Sequence, residues 1–189
     1  MKDQTINVEN ISVEIICDDF ADSPRSWDNT TKFIMFHKRY DLPNEAGIRH
    51  EDYASWEEME DALCREYKWV QPVYMYDHGG LAFYHGNVAL SINQFGCPFD
   101  SGQVGFIVSN EGNAREAYLN TTQELKVFEH YINGEVYLVR VFEDTEEVDA
   151  CYGYYGYDHR ESGLFEELDS YLSRITTKEI KEQILNQLS

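Results

Sequence analysis

Asp77, His78, His85, Cys97 and Asp100 place two imidazoles, a thiol and two carboxylates within 24 residues. A cysteine-dependent hydrolase or modifying enzyme could be assembled from these parts, with Cys97 as thiolate nucleophile, His78 as its base and Asp77 orienting that base. The same residues also admit a structural reading, in which Asp77 and Gly79-Gly80 shape a turn and Cys97 is a small buried hydrophobe ahead of Pro98. The usual companions of a cysteine nucleophile, a helix opening at the thiol and a histidine far downstream in a strand, are missing. For a metal, His78, His85 and His159 offer ligands but no H-E-x-x-H or similar i, i+4 pairing. Calcium loops and glycine-rich phosphate cradles are absent too. Neither a metal nor a cofactor is expected.

The other chemistry in the chain is electrostatic. Against 35 Asp plus Glu stand 15 Lys plus Arg, a net charge of -20. Such a balance repels nucleic-acid phosphates and anionic membranes and attracts basic protein surfaces. The acids are grouped: Asp18, Asp19 and Asp22, then Glu57, Glu58, Glu60 and Asp61, then Glu143, Asp144, Glu146, Glu147 and Asp149, then Glu161 to Asp169. Carboxylates in rows on a helix face or a hairpin tip can be gripped by lysines and arginines shaped for phosphates, as in DNA mimicry. Solvated helix faces are the plain alternative. The run CYGYYGYDHR, residues 151 to 160, adds tyrosines, and Tyr154 and Tyr155 are candidate anchors for a partner.

The elements that must carry these groups follow from periodicity. Residues 5 to 17 alternate β-branched side chains as a half-buried strand or hairpin arm, and 31 to 40 read as a strand buried on both faces. Ser55 ahead of Trp56, Glu57 and Glu58 has capping-box spacing and predicts a helix to about Tyr67, with Trp56, Met59, Leu63 and Tyr67 in one stripe. From 70 to 109 short strands cut by glycine predict an antiparallel meander, including one over VALSINQF. Two helical pieces follow, Ala114 to Leu119 and Thr122 to Ile132. An acidic-tipped hairpin around Asp144-Thr145-Glu146 comes next, then a helical pair from Ser162 to Arg174 and Thr177 to Leu188 with N-caps at Ser162 and Thr176 or Thr177.

The fold class expected is therefore α+β, an antiparallel meander sheet with helices packed on one side and a C-terminal helical pair, about 162–188. The whole of 1–189 reads as a single domain, since no repeat or linker-like tract interrupts it. Its 42% hydrophobic and 14% aromatic content is ample for a core and too high for a disordered acidic tail. Cys17, Cys64, Cys97 and Cys151 lie far apart without C-x-x-C spacing, so reduced thiols are expected. With no signal core and no run near the roughly 18 apolar residues that span a bilayer, the reading is a host-cell cytoplasmic protein with no membrane partner.

Tyr76-Asp77-His78, the stretch Cys97 to Gly105 and Cys151 to Gly153 together resemble a family of small acidic proteins from bacteriophages and mobile elements, mostly of Firmicutes, over residues 68 to 158. The chain differs from that pattern in GLAFYHGNVAL between the first two motifs. The resemblance implies an accessory protein of the kind that blocks host defence, an anti-CRISPR or anti-restriction protein. The expected partner is a basic protein surface on a nucleic-acid-processing enzyme, met by occupancy or DNA mimicry, with no direct nucleic-acid binding. A Cys97/His78 enzyme and a non-catalytic acidic accessory protein stay open as alternatives. Target identity and oligomeric state depend on a partner surface that the sequence does not contain.

Overall fold

A computed structural model describes residues 3–86 and 99–188. The chain packs as two compact units, Met1–Asp22 with His130–Ser189, and Ser23–Glu129. Among the described residues each has a four-stranded antiparallel sheet, and the class is α+β. Cys97 and the strand expected over VALSINQF lie outside the described residues.

In the first unit the sheet order is β1 (Gln4–Val8), β2 (Ile11–Cys17), β7 (Val136–Glu143) and β8 (Glu146–Tyr155). What reads in sequence as one strand or hairpin arm over 5 to 17 is a complete hairpin, turned at Glu9-Asn10 with Glu9 in the left-handed region (φ 54°). The acidic-tipped hairpin is β7–β8, and its turn residue Asp144 is also left-handed (φ 55°). Alternate residues Ile11, Val13 and Ile15 of β2 and Val139 and Val141 of β7 form one apolar face. Leu164, Leu168 and Leu172 of α3 (Leu164–Ile175) and Ile180 and Ile184 of α4 (Lys178–Gln187) bury against it. Thr177 caps α4 by accepting from the Ile180 N–H at 3.4 Å. For α3 the expected cap Ser162 is replaced by Gly163 at φ 83°, a conformation in which glycine has no Cβ to strain.

The second unit orders its strands β3 (Lys32–Met35), β6 (Ser101–Ser109), β4 (Trp69–Asp77) and β5 (Leu81–His85). The meander thus begins as a β4–β5 hairpin, and β6 then pairs with the far side of β4 and with β3. Neighbouring residues of β3 point to opposite faces. Ile34 joins Met59 and Leu63 of α1 (Trp56–Glu66), whereas Phe33 meets Phe128 of α2 (Ala114–Ile132) edge-on at 5.6 Å. Helices therefore cover this sheet on both faces. Gly105 makes the β3–β6 approach possible, because a Cβ there would lie 2.0 Å from the Ile34 carbonyl oxygen.

Helix α1 starts where Ser55 Oγ accepts from the Glu58 N–H at 3.3 Å. Helix α2 is opened by a reciprocal cap: Asn113 Oδ1 accepts from the Glu116 N–H, and Glu116 accepts from the Asn113 N–H, both at 3.1 Å. It is one helix where the sequence reads as two pieces. The β-branched pair Thr121-Thr122 does not break it, since Thr121 is buried and the Thr122 hydroxyl donates to the Tyr118 carbonyl one turn back, 2.8 Å.

Candidate functional site

Of the hydrolase parts, Asp77, His78, His85 and Asp100 lie among the described residues and Cys97 does not. The Asp77 carboxylate accepts from the Arg39 guanidinium and from the Tyr40 hydroxyl at 2.9 Å. It fastens a loop and does not orient His78. The His78 ring is 71% exposed, stacks beside Tyr76 and stands 3.7 Å (Nδ1 to Oδ2) from Asp100. His85 is buried at the end of β5, where burial pushes its imidazole pKa down. Its Nε2 lies 2.8 Å from Thr122 Oγ1, whose own proton goes to Tyr118, so Nε2 carries the hydrogen. Among the described residues no group of three or more His, Cys, Asp or Glu side chains is placed to hold a metal ion, and no helix is long and apolar enough to cross a membrane.

The two acidic rows have different local duties. On α1, Glu57, Glu58 and Asp61 are exposed and Glu60 is half-buried. Glu58 accepts from the Ala54 N–H at 2.7 Å, which completes the helix start. The Glu57 carboxyl is held below its usual range by its own backbone N–H and the Ser55 hydroxyl. This row is partly engaged in beginning the helix, where negative charge also meets the positive end of the dipole.

The row on β7–β8 is arranged differently. Register pairs Ile11 with Glu143 and Glu143 with Glu146, and the Asp144 N–H donates to the Asn10 carbonyl at 2.6 Å. The turns Glu9-Asn10 and Asp144-Thr145 therefore meet at one end of the same sheet. Glu9, Glu143, Asp144, Glu146 and Glu147 are all exposed there. A notch of about 280 Å³ lies between the turns, lined by Asn7, Glu9, Asn10, Ile11, Ser12, Asp144 and Thr145. Glu147 is paired with Arg140 at 2.6 Å, and Glu143 accepts from the Asn10 amide at 3.2 Å. Asp149, further along β8, is half-buried, and its charge helps raise the pKa values of Cys151, Tyr154 and Tyr171, in each of which burial is the larger cause. Glu9 was not singled out by sequence reasoning, because its place beside Asp144 depends on a pairing between strands whose partners are 120 to 132 residues apart in the chain.

The tyrosines divide at a register shift in β8, where Cys151 faces Val139 and Tyr154 faces Tyr137, so that Cys151 and Tyr154 both turn to the core and Tyr152 between them does not. Tyr154 packs against the core of the first unit, and the Tyr155 hydroxyl donates to the Asp22 carbonyl at 2.9 Å. Both candidate anchors are half-buried, whereas Tyr152 and Tyr157 are 64% and 61% exposed. Phe20, in the acidic turn before Asp22, is 96% exposed. The aromatic surface open to a partner on this unit is therefore Phe20, Tyr152 and Tyr157.

The geometry defines an acidic α+β protein with a carboxylate-bearing sheet end. No protein-family model matches the chain, and neither the curated proteins nor the solved structures contain a match.

Proposed function

We propose that the chain is a non-catalytic inhibitor that docks its acidic sheet end on a basic nucleic-acid-binding surface, acting by occupancy in the manner of a DNA mimic. The observation that carries this reading is the meeting of the two hairpin turns, which collects Glu9, Glu143, Asp144 and Glu146 at one end of the sheet, with Glu9 and Asp144 lining the notch of about 280 Å³ between the turns. Four strands about 4.8 Å apart make a carboxylate-bearing edge roughly 15 Å across, which suits a row of cations spaced to grip a polyanion. The target class is a CRISPR nuclease or a restriction enzyme, since both carry basic channels shaped for a polyanion and both fit the resemblance to phage accessory proteins.

The test is inhibition of DNA cleavage by a panel of such nucleases. The purified chain should inhibit at low salt and lose potency as salt rises from 50 to 200 mM. The triple variant E143K/D144N/E146K should lose at least about tenfold in inhibition while unfolding as the parent does, because all three positions are exposed and asparagine tolerates the left-handed backbone of residue 144. A panel in which no nuclease is bound or inhibited, or a triple variant of undiminished potency, refutes the proposal.

A further inference from the structure

A second recess lies within the Ser23–Glu129 unit, far in chemistry from the acidic sheet end. The chain leaves β3 at Met35 and returns to it at Pro43 to Glu45, held by Met35 N–H to the Pro43 carbonyl (2.9 Å) and Glu45 N–H to the Phe33 carbonyl (2.8 Å). The excursion between is tied to the sheet by Phe36 N–H to the Val104 carbonyl at 2.7 Å and to β4 by the grip of Arg39 and Tyr40 on Asp77. Between this fixed loop and the start of α1 opens a cleft of about 580 Å³. That size is typical of sites for small molecules.

Rings make up its walls. His50 sits edge-on to Trp56 at 4.8 Å and to Phe36 at 5.5 Å, while His37 and Tyr40 stack at 5.0 Å across an interplanar angle of 20°. Met35 and Leu42, both buried, supply an apolar floor. A planar heterocycle is the natural occupant of such a slot, since each stacked base–aromatic contact is worth about 1–3 kcal/mol and tolerates any π-face.

The cleft escapes the acidic excess of a chain of net charge -20, since Lys38 and Arg49 line it against only two carboxylates, Asp41 and Glu51. Arg49 is paired with Glu51 only at 3.8 Å, with both side chains over 70% exposed, so the pair contributes little and can yield to a better anion. Arg binds phosphate bidentately and Lys binds it as a point charge. Asp41 and Asn44, which also line the cleft, add acceptor oxygens; the Asn44 amide nitrogen donates to the Ile48 carbonyl at 2.6 Å. Acceptors of this kind suit the exocyclic amine of a base.

From this juxtaposition we infer that the cleft binds a free mononucleotide, its base among Phe36, His50 and Trp56 and its phosphate at Lys38 and Arg49. A polymer is disfavoured, because each further phosphate would meet the field of the 35 acids beyond the two local cations. The inference is independent of the inhibitor reading, since the residues involved belong to the other unit.

Titration calorimetry of the full chain with AMP tests it, with tryptophan fluorescence as a second readout, alongside adenosine, inorganic phosphate and a twelve-nucleotide oligoadenylate as controls. AMP should bind, and adenosine and phosphate should each bind at least about tenfold more weakly. K38Q/R49Q, changed at exposed positions, should lose about tenfold for AMP with its thermal unfolding unchanged, and W56F should weaken AMP and adenosine alike. No binding of AMP at millimolar concentration overturns the inference, as does unchanged AMP affinity in the double variant. Inorganic phosphate bound as tightly as AMP would mark a simple anion site, and oligoadenylate bound more tightly than AMP would mark a nucleic-acid site; either result also overturns it.

Discussion

Arg25 sits in a short 3-10 turn (Pro24–Ser26), and its side chain is only 7% exposed, so its replacement probes how the second unit is held together. Its guanidinium donates to both Glu45 carboxylate oxygens at 2.8 and 2.9 Å, to Glu124 at 2.8 Å and to the Thr31 carbonyl at 2.7 Å. It also lies 3.8 Å above the Phe33 ring. Burial alone would push its pKa down, but the two carboxylates outweigh that and leave it raised. In R25M, Glu124 keeps the Thr30 N–H and the Thr30 and Thr31 hydroxyls, and Glu45 keeps the Phe33 N–H. Those bonds cushion the loss, yet two carboxylates remain without their cation, and breaking a buried pair this way costs about 3–5 kcal/mol. At about 4 °C per kcal/mol the midpoint should fall by roughly 12 to 20 °C. R25K keeps the charge without the planar fork and should fall between parent and R25M. The triple variant R25M/E45Q/E124Q, with no stranded charge, should regain part of the loss. Trp27, Trp56 and Trp69 all lie in the Ser23–Glu129 unit, so tryptophan fluorescence during urea unfolding reports this unit specifically. An R25M loss under about 1 kcal/mol, or R25K equal to the parent, would refute the argument that this network is what fixes residues 23 to 45 against α2.

Two further outcomes concern buried groups outside the Arg25 network. His85 and His159 are both buried with pKa values pushed down by that burial, each in a different unit. The unfolded chain protonates them near pH 6.5 and the folded chain does so only lower, so stability should be flat above that pH and fall as the pH drops below it. H85Q keeps a donor for Thr122 and removes the titration, and should flatten the acid slope read by tryptophan fluorescence by up to about 1.4 kcal/mol per pH unit; an unchanged slope counts against the buried neutral imidazole. On β8, Y155F should cost about 1 kcal/mol through its lost bond to the Asp22 carbonyl, whereas Y152A should stay within about 0.5 kcal/mol of the parent in denaturant unfolding. Equal effects at the two positions would contradict the division of the tyrosines into structural and open ones.

Local order was plain in the amino-acid sequence. Ser55 and Thr177 announce helix starts through caps made within three residues, the 3.6-residue stripes of α1, α3 and α4 bury as their spacing requires, and the alternation around Asp144 makes a hairpin. Each of these needs only neighbours in the chain. The gap the sequence leaves at Asn120-Thr121, between the two helical pieces, is closed in α2 because the burial of Thr121 and the Thr122 hydroxyl bond to Tyr118 offset a weak local preference.

What only the tertiary structure decided is which distant segments share a sheet. Residues 11–17 pair with 137–143, and β6 lies between β3 and β4, pairings that cannot be inferred from pattern because antiparallel strands of similar alternation are interchangeable until the chain closes. Those closures put Glu9 beside Asp144, turn Tyr154 inward and Tyr152 outward, commit Asp77 to Arg39, and set Arg25 between Glu45 and Glu124. The sequence by itself determined the class of structure and the acidic character of its surface. The fold chose which of the charges and rings face one another, because a side chain's partners are set by the whole path of the backbone and not by its place in the chain.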